Sequence, residues 1–181
     1  MPIEQQLRPI WKRWNGVIPI WEAEQAGVDR ETLLTWAQNN PDTDIVTTEA
    51  IAWYPDYPET ESINWEIIPH VFSLASAGPG AYLWGPSVLE FAELGTWGSG
   101  ITFIATPREQ PENTGIHWTV TDKKADSSIL GFLSQNIRDA ILSSMRFLDG
   151  DKYVEALEDA NSRGIITDVE RLRLEKAKYR Q

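Results

Sequence analysis

The sequence contains no cysteine among its 181 residues. Disulfide bonds, thiol chemistry and thiolate metal sites are therefore excluded, which fits a reducing compartment. No apolar run approaches the ~20 residues that a membrane span requires. The first residues carry no basic segment followed by an apolar run, so no signal peptide is predicted. We therefore expect a soluble, cytoplasmic protein that does not associate with a membrane.

Basic residues are nearly missing from the middle of the chain. Between residues 41 and 114 there are 11 acidic side chains and a single basic one, Arg108, so this stretch carries -10 of the total net charge of -11. Such a surface repels a phosphate backbone and attracts basic partners. A solvated face that is kept acidic for solubility is the alternative interpretation.

Residue patterns typical of catalysis are absent from the sequence. There is no nucleophile with its base at a recognisable spacing, no metal-ligand cluster and no phosphate-binding loop. The two histidines, His70 and His117, can form an acid–base pair only if neighbouring strands bring them together. The acidic loop that contains Asp56, Glu59 and Glu61 lacks the spacing of a calcium loop. We therefore predict a protein that is not an enzyme and that has no metal site and no cofactor.

Short amphipathic helices are predicted in the first forty residues. Ile10 and Trp14 share one face of a first helix, which Pro9 is expected to open. A second helix is predicted from Pro19 to Ala26 and a third from Arg30 to Gln38. Three short helices with a tight glycine turn between the last two make the plan of a helix-turn-helix unit.

The turn and the third helix carry a motif. From Gly27 to Trp36 the sequence reads Gly-Val-Asp-Arg-Glu-Thr-Leu-Leu-Thr-Trp. It resembles the Gly-Val-x-x-x-Thr-Leu-x-x-Trp signature of MerR-type and excisionase-type helix-turn-helix domains, and the resemblance covers residues 10–39. The resemblance implies DNA binding, although those families usually follow the motif with a basic wing and the stretch from Asn39 to Asp44 is acidic. The candidate DNA-binding residues are Arg8, Lys12, Arg13, Arg30, Thr32, Thr35 and Gln38.

Residues that favour β-structure are concentrated between Trp65 and Thr121, where glycine and proline separate the apolar runs. Four runs are predicted as strands: His70–Ala75, Gly80–Trp84, Ile101–Ala105 and Ile116–Thr121. In the last run the alternation predicts that Ile116, Trp118 and Val120 share the buried face and that His117 lies on the other. A further strand is predicted within residues 45–54.

The chain has nine tryptophans, for which two interpretations are open. If buried, they are large core residues; if exposed, they can form a stacking platform for sugars, bases or a proline-rich peptide. Together with the acidic loop, the tryptophans give a set of candidate partner-binding residues, namely Asp56, Glu59, Glu61, Trp84 and Trp97.

The last third of the chain is predicted to be helical. A helix within residues 130–148, with Ser134 available as its cap, is expected to cover one face of the sheet. A helical hairpin follows, and its second helix opens with a capping box from Thr167 to Glu170. The stretch from Leu157 to Lys178 resembles the short C-terminal (SHOCT-type) modules of bacterial proteins, which implies self-association and a homodimer. An amphipathic hairpin docked on the body of the protein is the alternative.

These patterns predict an α+β protein with a helical unit over residues 1–40, an acidic antiparallel sheet domain over 41–149 and a C-terminal helical hairpin over 150–181. The leading hypothesis is a non-enzymatic binding protein, a helix-turn-helix-bearing regulator or adaptor for which DNA is a candidate partner and whose acidic domain contacts another protein, a basic one being the candidate. The alternative is a pure protein-interaction component without a DNA role, such as an immunity or antitoxin-like inhibitor, a phage-encoded factor or an assembly factor.

Overall fold

The chain forms two compact units, Met1–Pro79 and Gly80–Gln181. The structure, a computed structural model, describes residues 1–55, 58–95, 98 and 100–180, and within them it contains eight α-helices and two β-sheets. The fold is α+β, as predicted. The units do not coincide with the predicted divisions after residues 40 and 149, because residues 43–47 pack against residues 30–39, residues 68–76 pack against residues 17–19, and residues 150–162 pack against the helix that precedes them.

The first unit combines four α-helices with a three-stranded antiparallel sheet of order β1-β3-β2 in its described residues. Its elements in chain order are α1 (Ile3–Arg13), β1 (Val17–Pro19), α2 (Ile20–Gln25), α3 (Arg30–Asn39), β2 (Thr43–Thr47), β3 (Ala50–Trp53), 3-10 turns at Glu59–Ser62 and Trp65–Ile67, and α4 (Ile68–Ser76). Every residue of β3 is buried, since β3 is the central strand.

Helix α1 begins earlier than predicted. Pro9 lies inside the helix instead of opening it. Proline removes one hydrogen bond of a helix interior, but Leu7, Ile10 and Trp11 form a buried stripe on one face of α1. Packing of this stripe holds the helix across the proline.

Helices α2 and α3 lie where the sequence predicted them. Between them Gly27 has a φ of +89°, a left-handed conformation that favours glycine. The Asp29 side chain accepts a hydrogen bond of 2.9 Å from the backbone N–H of Thr32 and thereby caps α3.

Two predicted strands of the first unit are different in the structure. The run His70–Ala75 lies in helix α4, whose first turn contains Pro69; a short apolar run does not distinguish a buried strand from a buried helix. The strand predicted within residues 45–54 is a hairpin of β2 and β3, and its strands are joined by Thr48 and Glu49.

The second unit contains a five-stranded sheet of order β6-β5-β4-β8-β7 in its described residues. Its elements are β4 (Tyr82–Leu83), α5 (Pro86–Phe91), β5 (Thr102–Thr106), β6 (Ile116–Val120), β7 (Ser127–Ile129), β8 (Phe132–Ser134), α6 (Ile137–Ser144), α7 (Gly150–Ser162) and α8 (Asp168–Lys178). The pairs β4–β5 and β7–β8 are antiparallel, whereas β4–β8 and β5–β6 are parallel. The sheet is therefore mixed, and the predicted antiparallel arrangement is wrong for this unit.

Strand β6 is half-buried on both faces, whereas its alternation predicts a single buried face: Ile116, His117, Trp118 and Thr119 are all half-buried. His117 pairs with Phe103 in the sheet register, and its ring centroid lies 5.0 Å from that of Phe103 and 4.8 Å from that of Phe147. Val120 is 56% exposed. Because β6 is an edge strand, its alternation alone does not indicate which face is covered.

The first residues of the segment 130–148, within which a helix is predicted, instead belong to the β7–β8 hairpin. Leu130 and Gly131 make its turn with φ values of 49° and 87°, the left-handed pair of a type I′ turn. Ser134 is buried in β8 and caps no helix. Helix α6 begins at Ile137 and is capped by Asn136, whose side chain accepts a hydrogen bond of 3.0 Å from the N–H of Asp139.

The predicted C-terminal helical pair is present as α7 and α8. The capping box that opens α8 is complete: Thr167 and Glu170 each accept a hydrogen bond from the backbone N–H of the other. Leu157 and Leu174 are buried where the two helices pack. In the part of the chain that the structure describes, no helix is both long and apolar enough to cross a membrane.

Candidate functional site

The inner face of α3 is fixed by packing within the first unit. Ala23, Val28 and Leu33 are buried, with exposed fractions of 0%, 4% and 0%, and the N–H of Val28 donates a hydrogen bond of 2.9 Å to the carbonyl oxygen of Ala23. Trp36 is only half-buried, and its ring meets that of Trp53 edge-on at 5.3 Å between centroids. The opposite face of α3 is therefore held in a constant orientation.

The outer face of α3 is exposed and polar. Thr32, Thr35, Gln38 and Asn39 are all exposed, and their spacing of three to four residues places them along one side of the helix. Asn39 donates a hydrogen bond of 2.7 Å to the carbonyl oxygen of Thr35. The Thr32 hydroxyl donates one of 2.6 Å to Asp29. This face can read hydrogen-bonding groups, but it carries no cation of its own.

Three of the four candidate phosphate-binding cations form ion pairs within the unit. Arg8 pairs with Glu59 and Arg13 pairs with Glu22. Arg30 lies 2.9 Å from Glu49, whose hydrogen bond raises the pKa of the guanidinium. Lys12 is exposed on α1, and among the described residues it forms no ion pair.

Two of these ion pairs are exposed and one is not. In the Arg30–Glu49 pair both side chains are about two-fifths exposed, at 41% and 43%, and an exposed pair contributes about 0–1 kcal/mol to stability. In the Arg13–Glu22 pair the Glu22 side chain is only 12% exposed. A phosphate can therefore replace Glu59 or Glu49 at a small free-energy cost, whereas replacing Glu22 leaves a mostly buried carboxylate without its cation.

The β2–β3 hairpin follows α3 and is acidic. Its side chains include Asp44 on β2 and Glu49 in the turn, and it contains no basic residue. β2 is an edge strand with a bulge between Ile45 and Thr47, a device that hinders pairing with another strand. A groove of about 630 Å³ beside the outer face of α3 includes a further two carboxylates, those of Glu4 and Asp42. The expected departure from a basic wing is thus present in the fold.

No known protein family matches the sequence, and no curated protein matches it.

The candidate partner-binding residues have different environments. Glu59 and Glu61 lie on the first 3-10 turn, where Glu59 pairs with Arg8 and Glu61 is exposed. Trp84 is buried in the second unit. Asp56 and Trp97 lie outside the described residues. Trp53 is also buried, so Trp53 and Trp84 fit the core interpretation, not that of an exposed platform.

The two histidines lie on elements of different kinds. His70 is on helix α4 and His117 is on strand β6, so the neighbouring strands required for an acid–base pair are not formed. Burial, and then the charge of Arg146, lower the pKa of His117. Among the described residues, no group of three or more histidine, aspartate or glutamate side chains is arranged to hold a metal ion.

Sequence reasoning missed the carboxylate partners of the arginines. Arg30 and Glu49 are 19 residues apart in the chain, and Arg8 and Glu59 are 51 apart. No helical or strand spacing connects such positions. Only the hairpin and the 3-10 turn, folded back onto the helices, bring these charges together.

Proposed function

We propose that the chain is a non-enzymatic binding protein, a helix-turn-helix-bearing regulator or adaptor whose first unit binds DNA with the outer face of α3. The observation that carries this proposal is the order of elements α1-β1-α2-α3-β2-β3 with the strand order β1-β3-β2. In a helix-turn-helix unit the second helix of the motif enters the major groove; here α2 and α3 would form that motif, and β2 of the hairpin packs against α3. The proposal includes the cytoplasmic location predicted from the sequence.

In this proposal Thr32, Thr35 and Gln38 contact base edges, while Arg8, Lys12, Arg13 and Arg30 contact phosphates. Arg8 and Arg30 must first leave their carboxylate partners, which costs little because such exposed pairs are weak; for Arg13 the cost is larger, because its partner Glu22 is mostly buried. The first unit carries 12 acidic and 4 basic side chains, a balance of -8. We therefore expect one unit to bind DNA weakly, with a log–log salt slope of about -2 to -4 at -0.9 per phosphate contact.

The test is a fluorescence anisotropy titration of genomic DNA fragments at ~50 mM and ~200 mM salt, a range over which phosphate contacts weaken strongly. Arg13→Ala and Arg30→Ala should each weaken binding and reduce the magnitude of the salt slope by about 0.9. Arg108→Ala is the matched control, because Arg108 is an exposed arginine of the second unit and its loss changes the net charge equally. If the wild-type chain binds no fragment at ~50 mM salt, the DNA-binding proposal fails.

Weak binding by one unit favours a dimer, and the outer side of α8 supports one. Val169 is 77% exposed and Leu172 is 47% exposed, whereas Leu174 faces inward.

We propose that two copies associate through this apolar strip and so present two α3 helices. Leu172→Asp should convert a dimer to a monomer in sedimentation equilibrium, while Leu142→Asp, a change at a similarly exposed leucine of α6, should not. A wild-type monomer would refute the association.

A protein-interaction component without a DNA role is the second candidate function. The charge balance of -8 and the paired arginines favour it, since both oppose phosphate binding. Its partner would be a basic protein, and the exposed carboxylates near Glu59 and Glu61 would contact it. This candidate predicts no DNA binding, together with binding of a short lysine peptide that Glu61→Gln weakens. Glu155→Gln, a change in the second unit, is the control.

A further inference from the structure

A polar cavity of about 250 Å³ lies in the second unit, on one face of the five-stranded sheet. Tyr82 and Trp84 line it together with Thr119 of β6. Tyr82 pairs with Ala105 and Ala105 pairs with Thr119 in the sheet register, so their side chains point to the same face. The segment after β6 and the beginning of α6 form the walls.

Two buried aromatic side chains bring unpartnered donors to this cavity. Tyr82 is 4% exposed and Trp84 is 9% exposed. Within the described part of the chain, the Tyr82 hydroxyl and the Trp84 indole N–H have no hydrogen-bond partner. Neither atom is fully shielded from solvent. Buried polar groups are normally hydrogen-bonded. These two donors therefore retain some solvent access, and they belong to residues that line the cavity.

Other hydrogen-bond donors also line the cavity, in addition to those of Tyr82 and Trp84. Lys123 and Lys124 line the cavity and are exposed, and neither makes an ion pair within the described residues. The Ser143 hydroxyl accepts a hydrogen bond of 3.0 Å from the Gln135 amide, so its own hydrogen is free to donate. The cavity thus combines two ammonium groups with hydroxyl and indole donors.

The carboxylates of the lining are already engaged. Both oxygens of Asp126 accept hydrogen bonds from Asn136, at 2.8 Å from its backbone N–H and 2.6 Å from its side-chain amide. Asp139 accepts another from the same amide at 2.9 Å. These bonds from Asn136 lower the pKa of Asp126. Burial, and then the charge of Asp126, raise the pKa of Tyr82, which keeps its hydroxyl protonated. The unpartnered groups of the lining are therefore donors, while the charges of Asp126 and Asp139 balance those of Lys123 and Lys124.

We propose that this cavity binds a small organic anion whose phosphate or carboxylate group contacts Lys123 and Lys124 and accepts hydrogen bonds from Tyr82 and Trp84. Its volume equals that of roughly eight water molecules at about 30 Å³ each, so the ligand is the size of a small metabolite. A donor-rich lining selects an acceptor-rich ligand, since charged acceptors give the stronger hydrogen bonds. The site is independent of what the first unit binds.

The test uses the full chain labelled with ¹⁵N and follows the indole N–H resonance of Trp84, assigned with Trp84→Phe. Glycerol 3-phosphate tests for binding of a phosphate group and malate tests for binding of a carboxylate group. Glycerol, which carries no charge, is the neutral probe. We expect one or both anions to shift this resonance saturably and glycerol not to. The double change Lys123→Gln and Lys124→Gln should weaken binding at least about tenfold, and Tyr82→Phe by about two- to tenfold.

Tyr153→Phe is the matched control, because it removes a buried hydroxyl of the same unit outside the cavity. It should leave the anion affinity unchanged. The proposal is overturned if neither anion shifts the Trp84 resonance, if glycerol shifts it equally, or if the double lysine variant binds as tightly as the wild type. Since the lysines are exposed, this last variant folds even if Tyr82→Phe does not.

Discussion

Replacing Tyr153 by phenylalanine removes the hydroxyl that joins α7 to α6. Tyr153 is fully buried, and its hydroxyl donates a hydrogen bond of 3.1 Å to the carbonyl oxygen of Ile141. Ile141 lies in the last turn of α6, where carbonyl groups lack partners further along the helix; the N–H of Met145 bonds Leu142 instead. The substitution leaves this buried carbonyl without the hydroxyl, which should cost about 1–3 kcal/mol of unfolding free energy.

The same hydroxyl makes stability depend on alkaline pH. Burial raises the pKa of Tyr153 from 10.0 to about 12. The unfolded chain then loses this proton near pH 10 and the folded chain only near pH 12. The contribution of the protonated hydroxyl to the free energy of unfolding is therefore complete below pH 10 and is lost between pH 10 and 12. At 1.36 kcal/mol per pKa unit, the loss of stability at pH 11 is about 1 kcal/mol. Phenylalanine cannot ionise, so the Tyr153→Phe variant does not lose this part of its stability at high pH.

Urea unfolding followed by far-UV circular dichroism at pH 8 and pH 11 measures both effects. We expect the wild type to be more stable than Tyr153→Phe at pH 8 and the difference to shrink by about 1 kcal/mol at pH 11. Tyr179→Phe, at a tyrosine that is 65% exposed, should match the wild type at both values. Equal stability of Tyr153→Phe and wild type at pH 8, or a difference that does not change with pH, would refute this reasoning.

Two other changes test the packing of each unit. Leu33→Asp should destabilise the first unit by several kcal/mol, because it places an unpaired charge at a fully buried position; unfolding curves equal to those of the wild type would contradict it. The His117 imidazole should titrate below its ordinary 6.5 in an NMR pH series, so that its contribution to stability is complete above pH 6.5 and is lost as pH falls through the lowered value. Arg146→Gln should raise the pKa of His117 but leave it below 6.5, because burial lowers this pKa more than the charge of Arg146 does. A full return of the pKa to 6.5 would contradict this ranking of the two causes.

Local signals allowed the helices around the α2–α3 turn to be predicted. Gly27 supplies the left-handed turn and Asp29 supplies the cap, and both act within a few residues of the helix ends they determine. The exposed face of Thr32 and Thr35 also followed from helical spacing. Short-range chemistry of this kind is readable in the sequence because the interacting groups are neighbours in the chain.

Features that depend on residues far apart in the chain could not be predicted from the sequence. The Leu130–Gly131 turn lacks the usual Asn-Gly or Asp-Gly pair, so the β7–β8 hairpin was interpreted as the start of a helix. The parallel pairing of β5 with β6 leaves no local mark, and an antiparallel meander was predicted instead. The unpartnered donors of Tyr82 and Trp84 depend on sheet register, so the cavity was not predicted at all.

The order of strands in the second unit has a consequence during protein synthesis. β4 has β5 on one side, but its other neighbour is β8, and the paired residues Leu83 and Ser134 are roughly fifty positions apart. At about 5–20 residues per second, the ribosome takes about 3–10 s to make that stretch. Throughout this interval one edge of β4 offers unpaired backbone groups to any other strand. A nascent chain is therefore vulnerable to aggregation until residue 134 has emerged, and a fragment that stops before β8 keeps this open edge permanently.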